Sequence, residues 1–327
     1  MATTVNNAFN EFMQNSVNLD PEKTKIARNS RDNLIDNINQ FNQLDDFFTL
    51  YTERHLKFGS FARNTKIREL DDIDLMICIS AEGTRTYTQI SDSFYIYGNA
   101  TDKNNKLLSD NTPYLNSTKV INRFVNKLSY LNDYSKAEMH KNFEAATLKM
   151  KSYTWNFDIV PCFHAAENFY LIPDGYGNWK KTDPRIDNER TSSLNQKFNG
   201  KLLNIIRLIK FWNKRPIAPR INSYLLECLI LNYYQTKNYL FDIKSEFLYT
   251  LSNLSYKIWF DVPDPKGIQG NINNLSIQER SRISQVMSNA CTNITTAIQY
   301  EKENKQKEAI NIWRNVLGDK FPEYTNL

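Results

Sequence analysis

Two aspartates separated by a single residue, Asp72 and Asp74, are the first feature of the sequence that could do chemistry. The residues around and after them are apolar on both faces, so the segment is predicted to be a buried strand. Residues two apart on a strand project from the same face, and two like charges at that spacing repel by roughly 2–3 kcal/mol. A bound cation removes this repulsion, and a set of carboxylate ligands favours Mg²⁺ or Mn²⁺ over zinc.

Three further residues extend this pair into a reaction site. Gly59 and Ser60 precede the aspartates, with eleven residues between Ser60 and Asp72. Glycine lets the backbone approach a phosphate closely, and serine offers a hydroxyl donor to it. Catalysis by two metal ions needs a third carboxylate, and Asp158, on a second predicted strand over residues 153–163, is the candidate. These residues predict transfer of a phosphoryl group to a hydroxyl, with two Mg²⁺ or Mn²⁺ ions held by the three aspartates.

The segment that contains these residues resembles a known family. Phe58-Gly-Ser-Phe-Ala-Arg through Leu-Asp-Asp-Ile-Asp-Leu is similar to the signature of the polymerase-β-like nucleotidyltransferases, and most of all to the bacterial CD-NTase family. Four shorter pieces agree in the same order and extend the resemblance over residues 57–230: Asn156-Phe-Asp-Ile-Val-Pro, Trp179 through Thr182-Asp-Pro, Lys210-Phe-Trp and Ser223-Tyr-Leu-Leu-Glu. The resemblance implies synthesis of a cyclic di- or trinucleotide from nucleoside triphosphates, with ATP, GTP or both as the expected substrates. An effector that senses this product in antiphage defence is implied as well.

The resemblance also implies roles for three residues outside the aspartate motif. Lys210 and Ser223 match the positions that grip the triphosphate, and Tyr224 matches the residue that stacks on a nucleobase. Each has a plainer interpretation: a solvated lysine on a helix, an N-cap serine without a ligand, and a tyrosine of the core. The sequence leaves both interpretations open.

Composition limits the partners and the compartment. The formal net charge is +5, but 41 basic and 36 acidic residues are interspersed, so neither an obligate nucleic-acid activator nor a long RNA substrate is expected. The four cysteines lie more than sixty residues apart, which disfavours a zinc ribbon or a disulfide framework. A polar N-terminus and apolar runs too short for a bilayer predict a cytoplasmic protein without a membrane partner.

The coarse pattern predicts an α+β fold of two lobes with the active site in the cleft. A catalytic lobe over residues 1–190 has a mixed sheet and a long spine helix, which begins at Asp20-Pro21 and continues through Phe41 and Leu44. A helical lobe over residues 191–327 completes the nucleotide-binding cleft, with helices that begin at Ser223 and, through a capping box, at Ser276. Residues 81–116 are expected to be rich in loops and residues 173–184 to form a connecting loop, and the helical pattern starts near residue 195.

Two other functions fit the same residues. An enzyme that makes linear oligonucleotides or adds a tail to RNA would need the same three aspartates, but also more phosphate contacts than the sequence offers. A catalytically inactive nucleotide sensor would not need all three carboxylates, and all three are present.

Overall fold

A computed structural model of the chain describes residues 2–83, 85–131, 134, 137–217 and 219–326. The chain divides into two compact units. The helical unit contains residues 1–21, 64–68 and 187–327, and the sheet unit contains residues 22–63 and 69–186. The sheet unit therefore ends close to the predicted end of the catalytic lobe at residue 190, whereas residues 1–21 and 64–68 group with the helices.

The sheet unit is built on a single mixed sheet, and its described strands follow the order β1-β2-β7-β8-β9-β4-β3, with β6 pairing to β7 and β5 to β6. Its strands are β1 Leu56–Phe58, β2 Asp72–Ile79, β3 Tyr87–Ile90, β4 Ser93–Ile96, β5 Glu138–Asn142, β6 Ala145–Lys149, β7 Asn156–His164, β8 Tyr170–Pro173 and β9 Trp179–Thr182. Its helices are α2 Pro21–Asn39, α3 Gly59–Ala62, α4 Ala100–Asn104 and α5 Ser117–Ser129. The first residue of α2, Pro21, is assigned to the helical unit.

Strands β2 and β7 form the centre of this sheet and are its parallel pair. Both are buried on two faces beyond their first residues, as the apolar run predicted. On one face, a small cluster of Met76, Cys78, Val160, Cys162 and Tyr170 covers the middle of the pair. The first residues of each strand lie outside this cluster and carry the aspartates.

Pro161 lies inside β7. It is registered with Ile77 on β2. On the other side of β7, the pairing with β6 ends at Ile159 and the pairing with β8 begins at Phe163. Proline has no N–H to donate, and this gap between two antiparallel partners accommodates that loss in a central strand.

The helical unit packs around a large apolar core drawn from residues 2–17 and 198–321. The N-terminal segment joins this core through edge-to-face contacts of Phe9 with Trp313, 4.7 Å between ring centroids, and with Phe321. Its helices are α1 Val5–Phe12, α6 Pro184–Lys197, α7 Leu202–Asn213, α8 Ser223–Gln235, α9 Ile243–Lys257, α10 Ile277–Lys302 and α11 Gln306–Leu317, with a π-helix Met13–Val17 after α1. The first residues of α6 belong to the sheet unit.

Several sequence predictions are confirmed. The chain has an α+β fold with the sheet before most of the helices. Helix α2 begins at Pro21, and α8 begins at Ser223. The capping box at Ser276 is present. The Ser276 hydroxyl accepts a hydrogen bond from the backbone N–H of Glu279, and the Glu279 carboxylate accepts one from the backbone N–H of Ser276.

Other predictions about elements are wrong. The spine helix ends at Asn39, because the chain tightens into a 3-10 turn in which Leu44 N–H bonds to Phe41 O. Residues 173–184 contain β9 and are not only a connecting loop, and the loop-rich segment 81–116 also contains β3, β4 and α4. Burial explains why a strand forms at β9, because the indole of Trp179 is fully buried and its N–H donates to Leu115 O. Asp183-Pro184 starts α6 rather than a loop, so the helices begin before residue 195.

No helix within the described ranges is long and apolar enough to cross a bilayer. This finding agrees with the short apolar runs in the sequence.

His55 joins the end of the spine helix to the central strand in the sheet unit. Its Nδ1 accepts the backbone N–H of Cys78 at 3.1 Å, and its Nε2 lies 3.1 Å from Asn39 Oδ1. Burial lowers the pKa of His55 from 6.5 to about 4. The acceptor role of Nδ1 also requires the neutral ring, since a protonated Nδ1 would face another N–H group.

We therefore expect the protein to lose stability as the pH falls from about 6.5 to about 4, because the unfolded state binds a proton there that the folded state does not. The loss should be about 2 kcal/mol after allowance for the partly exposed ring. Urea unfolding at several pH values measures it. His55→Gln should flatten the profile in this window relative to the wild type, and His164→Gln, at a more exposed ring, should change it less. Equal slopes in the wild type and His55→Gln would contradict the assignment.

Candidate active site

The register of β2 and β7 brings the three predicted aspartates together. Asp74 is the direct partner of Asp158, and Asp72 is the partner of Asn156. Partners in a parallel pair project to the same side of a sheet about 4.8 Å apart, and Asp72 projects to that side as well, because it lies two residues from Asp74. The backbone thus places three carboxylates on one face at the amino ends of two neighbouring strands. All three were predicted from sequence to share a site.

Gly59 has a role in this arrangement that the sequence does not reveal. Strand β1 pairs antiparallel with β2, so that Phe58 lies opposite Asp74 and Gly59 follows at the start of α3. Gly59 has φ +73°, and a Cβ at this position would lie 1.7 Å from Asp74 Oδ2. Any other residue would therefore displace the Asp74 carboxylate. Ser60, the next residue, lies in the first turn of α3.

A threonine that the sequence analysis missed holds the third carboxylate. Thr147 on β6 is the register partner of Asp158 on the side of β7 away from β2. The Thr147 hydroxyl donates to Asp158 Oδ1 at 2.6 Å, and Thr147 is 5% exposed. This contact fixes one oxygen of Asp158. The signal in the sequence, a single threonine in Ala-Ala-Thr-Leu-Lys, is too weak to have identified it.

The donor chemistry of this face fits a hard divalent cation. Its three carboxylates supply the kind of oxygen ligand that Mg²⁺ prefers. Among the described residues, no three side chains of His, Cys, Asp or Glu lie close enough together to hold a metal ion. The backbone register nevertheless places Asp72, Asp74 and Asp158 on one face of the sheet.

Lys210 in the helical unit is not the solvated lysine that the plainer interpretation proposed. Its side chain is 7% exposed, and its ammonium lies 2.5 Å from Glu227 Oε1. Thr65, fully buried, donates its hydroxyl to the same oxygen at 3.0 Å. Thr65 belongs to residues 64–68, which lie in sequence between Ser60 and Asp72. A buried ion pair therefore anchors this short segment to α7 and α8.

The segment 64–68 has a second anchor in the helical unit. The backbone N–H of Arg68 donates to Val17 O, and its guanidinium donates to the carbonyls of Asn18 and Gln14. These three acceptors lie in or next to the π-helix Met13–Val17, where the wider turn frees carbonyl groups for other donors. Residues 64–68, between the two halves of the aspartate motif, are consequently well fixed.

Ser223 and Tyr224 open helix α8 in the helical unit. The N-cap is Asn222, whose side chain accepts from the backbone N–H of Tyr224, so the N-cap interpretation of Ser223 is wrong. Tyr224 is half-buried, and its hydroxyl donates to Asp264 Oδ1 at 2.8 Å. Burial is the main cause that raises the pKa of Tyr224 well above 10, so the phenol stays protonated.

Comparison with known proteins assigns the family. No protein-family model matches the chain. A probable cyclic nucleotide synthase of Bacillus cereus (strain VD146) is 46% identical, and the match covers 99% of this chain and 99% of that protein. A cyclic AMP-AMP-AMP synthase of Acinetobacter sp. is 28% identical over 59% of this chain and 57% of its own length. The chain belongs to the CD-NTase family of nucleotidyltransferases, as the motif from Gly59 to Asp74 indicated.

Solved structures agree on the fold. CdnC of Escherichia coli MS115-1, in its complex with HORMA-deltaN, matches with a TM-score of 0.71 and 16% identity over 97% of this chain and 98% of its own. The cyclic AMP-GMP synthase DncV of Vibrio cholerae matches with a TM-score of 0.58 and 12% identity over 84% of this chain and 72% of its own. The predicted polymerase-β-like fold is confirmed by these neighbours.

The contact of Gly59 with Asp74 yields a stability prediction. Gly59→Ala should lower the free energy of unfolding by roughly 3 kcal/mol: about 1 kcal/mol for the positive φ and the rest for displacing the Asp74 carboxylate. Gly200→Ala is the matched control, because Gly200 has φ +80° but nothing within 4 Å of an added Cβ. Denaturant unfolding of both variants measures the difference. Equal losses in the two would mean that Asp74 moves aside freely.

Proposed function

We propose that this chain uses Mg²⁺ or Mn²⁺ to join nucleoside triphosphates into a cyclic di- or trinucleotide. The observation that carries the proposal is the register of Asp74 with Asp158, with Asp72 on the same face. Kinship with a probable cyclic nucleotide synthase at 46% identity over 99% of the chain supports the cyclic product. The reaction is attack of a ribose hydroxyl on an α-phosphate, with pyrophosphate as the leaving group.

The three aspartates would hold two divalent ions on their shared face. When bound, these ions neutralise the triphosphate and lower the pKa of the attacking hydroxyl. The residues of the chain do the positioning. Thr147 keeps one oxygen of Asp158 turned toward β6, and Gly59 leaves room for the Asp74 carboxylate beside the α3 turn. Ser60, one residue further on, would donate its hydroxyl to a phosphate oxygen.

Three residues at α7 and α8 are proposed to bind a nucleoside triphosphate. Lys210 would contact the triphosphate by sharing its ammonium between Glu227 and a phosphate oxygen, because the ion pair with Glu227 holds it in place beforehand. Ser223 would donate its hydroxyl from the first turn of α8, where the free backbone N–H groups favour an anion. Tyr224 would stack on the base.

The biological setting follows from the family and is part of the proposal. We infer that the product signals to an effector in bacterial antiphage defence, and that the enzyme acts in the cytoplasm, where its triphosphates are made. ATP and GTP are the expected substrates, and no nucleic-acid activator is needed. The supporting feature is charge: basic and acidic residues alternate along the sequence, without the clustered cations that a long nucleic acid requires.

The nature of the product is the test of this proposal. The purified protein is incubated with the four nucleoside triphosphates and Mg²⁺ or Mn²⁺, and the products are analysed by mass spectrometry before and after phosphatase treatment. We expect a short product whose mass phosphatase does not change, formed without nucleic acid and absent when the metal is chelated.

The rival functions give different results in the same experiment. A ladder of products that lose phosphate, or dependence on added RNA, would favour a linear or tailing enzyme. Binding of triphosphates without any product would favour the inactive sensor.

A further inference from the structure

The helical unit contains a cavity of about 480 Å³ that the reaction does not use. Its walls come from α1, the π-helix Met13–Val17, the connection to α2, the start of α7 and the start of α9. Among its described lining residues, none is one to which we assign a role in the reaction. Pockets for small ligands usually have about 300–1,000 Å³, so the cavity is large enough for a small organic molecule.

Side-chain carboxamides supply the hydrogen-bonding groups of this cavity, and they belong to Asn10, Gln14, Asn18 and Asn204. A carboxamide presents a donor and an acceptor side by side. Asn18 Oδ1 is buried and accepts no hydrogen bond among the described residues. Asn18 Nδ2 lies 3.5 Å from Asn204 Oδ1, which is long for a hydrogen bond, and that oxygen already accepts from Arg207 at 2.7 Å. The protein therefore uses the donors and acceptors of this lining only in part.

The remaining lining is apolar and suits a flat ring. Phe9, Met13 and Ile205 are buried below the cavity surface, and Phe241 is 49% exposed. Aromatic rings and the thioether of methionine pack well against aromatic ligands. A ligand that fits this cavity consequently combines an apolar ring with a polar edge.

Charge narrows the class of ligand further. Of the described residues that line the cavity, Lys201 and Asp242 carry charge, one of each sign. The Asp242 side chain also caps α9, where it accepts from the backbone N–H groups of Lys244 and Ser245. A single lysine opposed by an aspartate does not balance a triphosphate. The lining therefore favours a molecule without net charge.

One wall of the cavity also holds Arg68, in the segment 64–68. The Arg68 guanidinium donates to the backbone carbonyl of Gln14 at 3.1 Å and to that of Asn18 at 2.9 Å. Both residues line the cavity with their side chains. A molecule that bonds to these side chains restricts the two residues that accept from Arg68, and residues 64–68 lie within the aspartate motif. The cavity is thus linked to that motif through contacts inside the helical unit.

We propose that this cavity is a regulatory site for an uncharged nucleoside, which on binding tightens the anchor of residues 64–68. A nucleobase is a flat ring whose edge carries neighbouring donors and acceptors, and carboxamides of Asn and Gln recognise such edges. The ribose adds hydroxyl groups for the exposed carboxamides of Asn10 and Gln14. The inference goes beyond the proposed function, because it assigns a second site that takes no part in the reaction.

Calorimetry tests the site with adenosine, guanosine, cytidine and uridine as the probes. Each titration is done with saturating non-hydrolysable ATP and Mg²⁺, which occupy the proposed triphosphate site. We expect at least one nucleoside to bind under these conditions. Binding of none of the four, or binding that ATP abolishes, would overturn the proposal.

Substitutions locate the bound nucleoside. Gln14→Leu removes one carboxamide but keeps the backbone carbonyl that holds Arg68, and it should weaken binding about tenfold, as expected for one lost hydrogen bond. Asn10→Leu should do the same from α1. Asn15→Leu is the matched control, because Asn15 is an exposed residue of the same π-helix that does not line the cavity. Affinities that are equal in the wild type, Gln14→Leu and Asn10→Leu would overturn the site.

Hydrogen exchange tests the link to Arg68 without any measurement of activity. The backbone N–H of Arg68 donates to Val17 O, so its exchange reports on the opening of this anchor. A nucleoside at 100 times its Kd should slow exchange in a peptide covering residues 64–68 by up to about 100-fold in the wild type and in Asn15→Leu. Binding that leaves this exchange unchanged would overturn the regulatory role.

Failure of the proposed function has a different signature. A protein that binds a nucleoside in this way but makes no cyclic product would reject the proposed reaction and leave the cavity site intact. A protein that makes the product but binds none of the four nucleosides beside ATP would reject this inference alone.

Discussion

The parallel pairing of β2 with β7 is the constraint on which the site depends. A side chain on a strand changes face with every residue, so a slip of one residue between these strands would turn Asp158 away from Asp74. The register is specified by burial on both sides of the aspartates: Ile73 and Leu75 on β2 pair with Phe157 and Ile159 on β7, and all four are at most 1% exposed. The apolar residues of the strands therefore place the polar ones.

The same constraint places three like charges close together. Two carboxylates two residues apart on one strand, such as Asp72 and Asp74, repel by roughly 2–3 kcal/mol at an effective dielectric near 20. The surrounding residues hold this arrangement in place. Thr147 donates a hydrogen bond to Asp158, and Gly59 leaves the space that Asp74 occupies. Three carboxylates on one face are the ligand set that we propose for two divalent ions in the transfer of a phosphoryl group.

Local signals in the sequence predicted the parts of this site that depend on spacing along one strand. Asp72 and Asp74 were assigned to one face, and the starts of α2 and α8 were placed correctly. The sequence did not predict contacts between distant segments. The pairing of Thr147 with Asp158 and the burial of Lys210 against Glu227 both arise from tertiary packing. Asp183-Pro184 could begin either a turn or a helix, and only the fold decides between them.

The central claim is that the register of β2 and β7 creates a site for two divalent ions. The most direct measurement counts Mn²⁺ ions bound to the protein by electron paramagnetic resonance, in the presence of a non-hydrolysable triphosphate. The wild type and Asp71→Asn, a substitution at an exposed neighbour outside the strand, should each bind two ions. Asp158→Asn should bind fewer while keeping the wild-type melting temperature. Two ions in Asp158→Asn, or none in the wild type, would contradict the account.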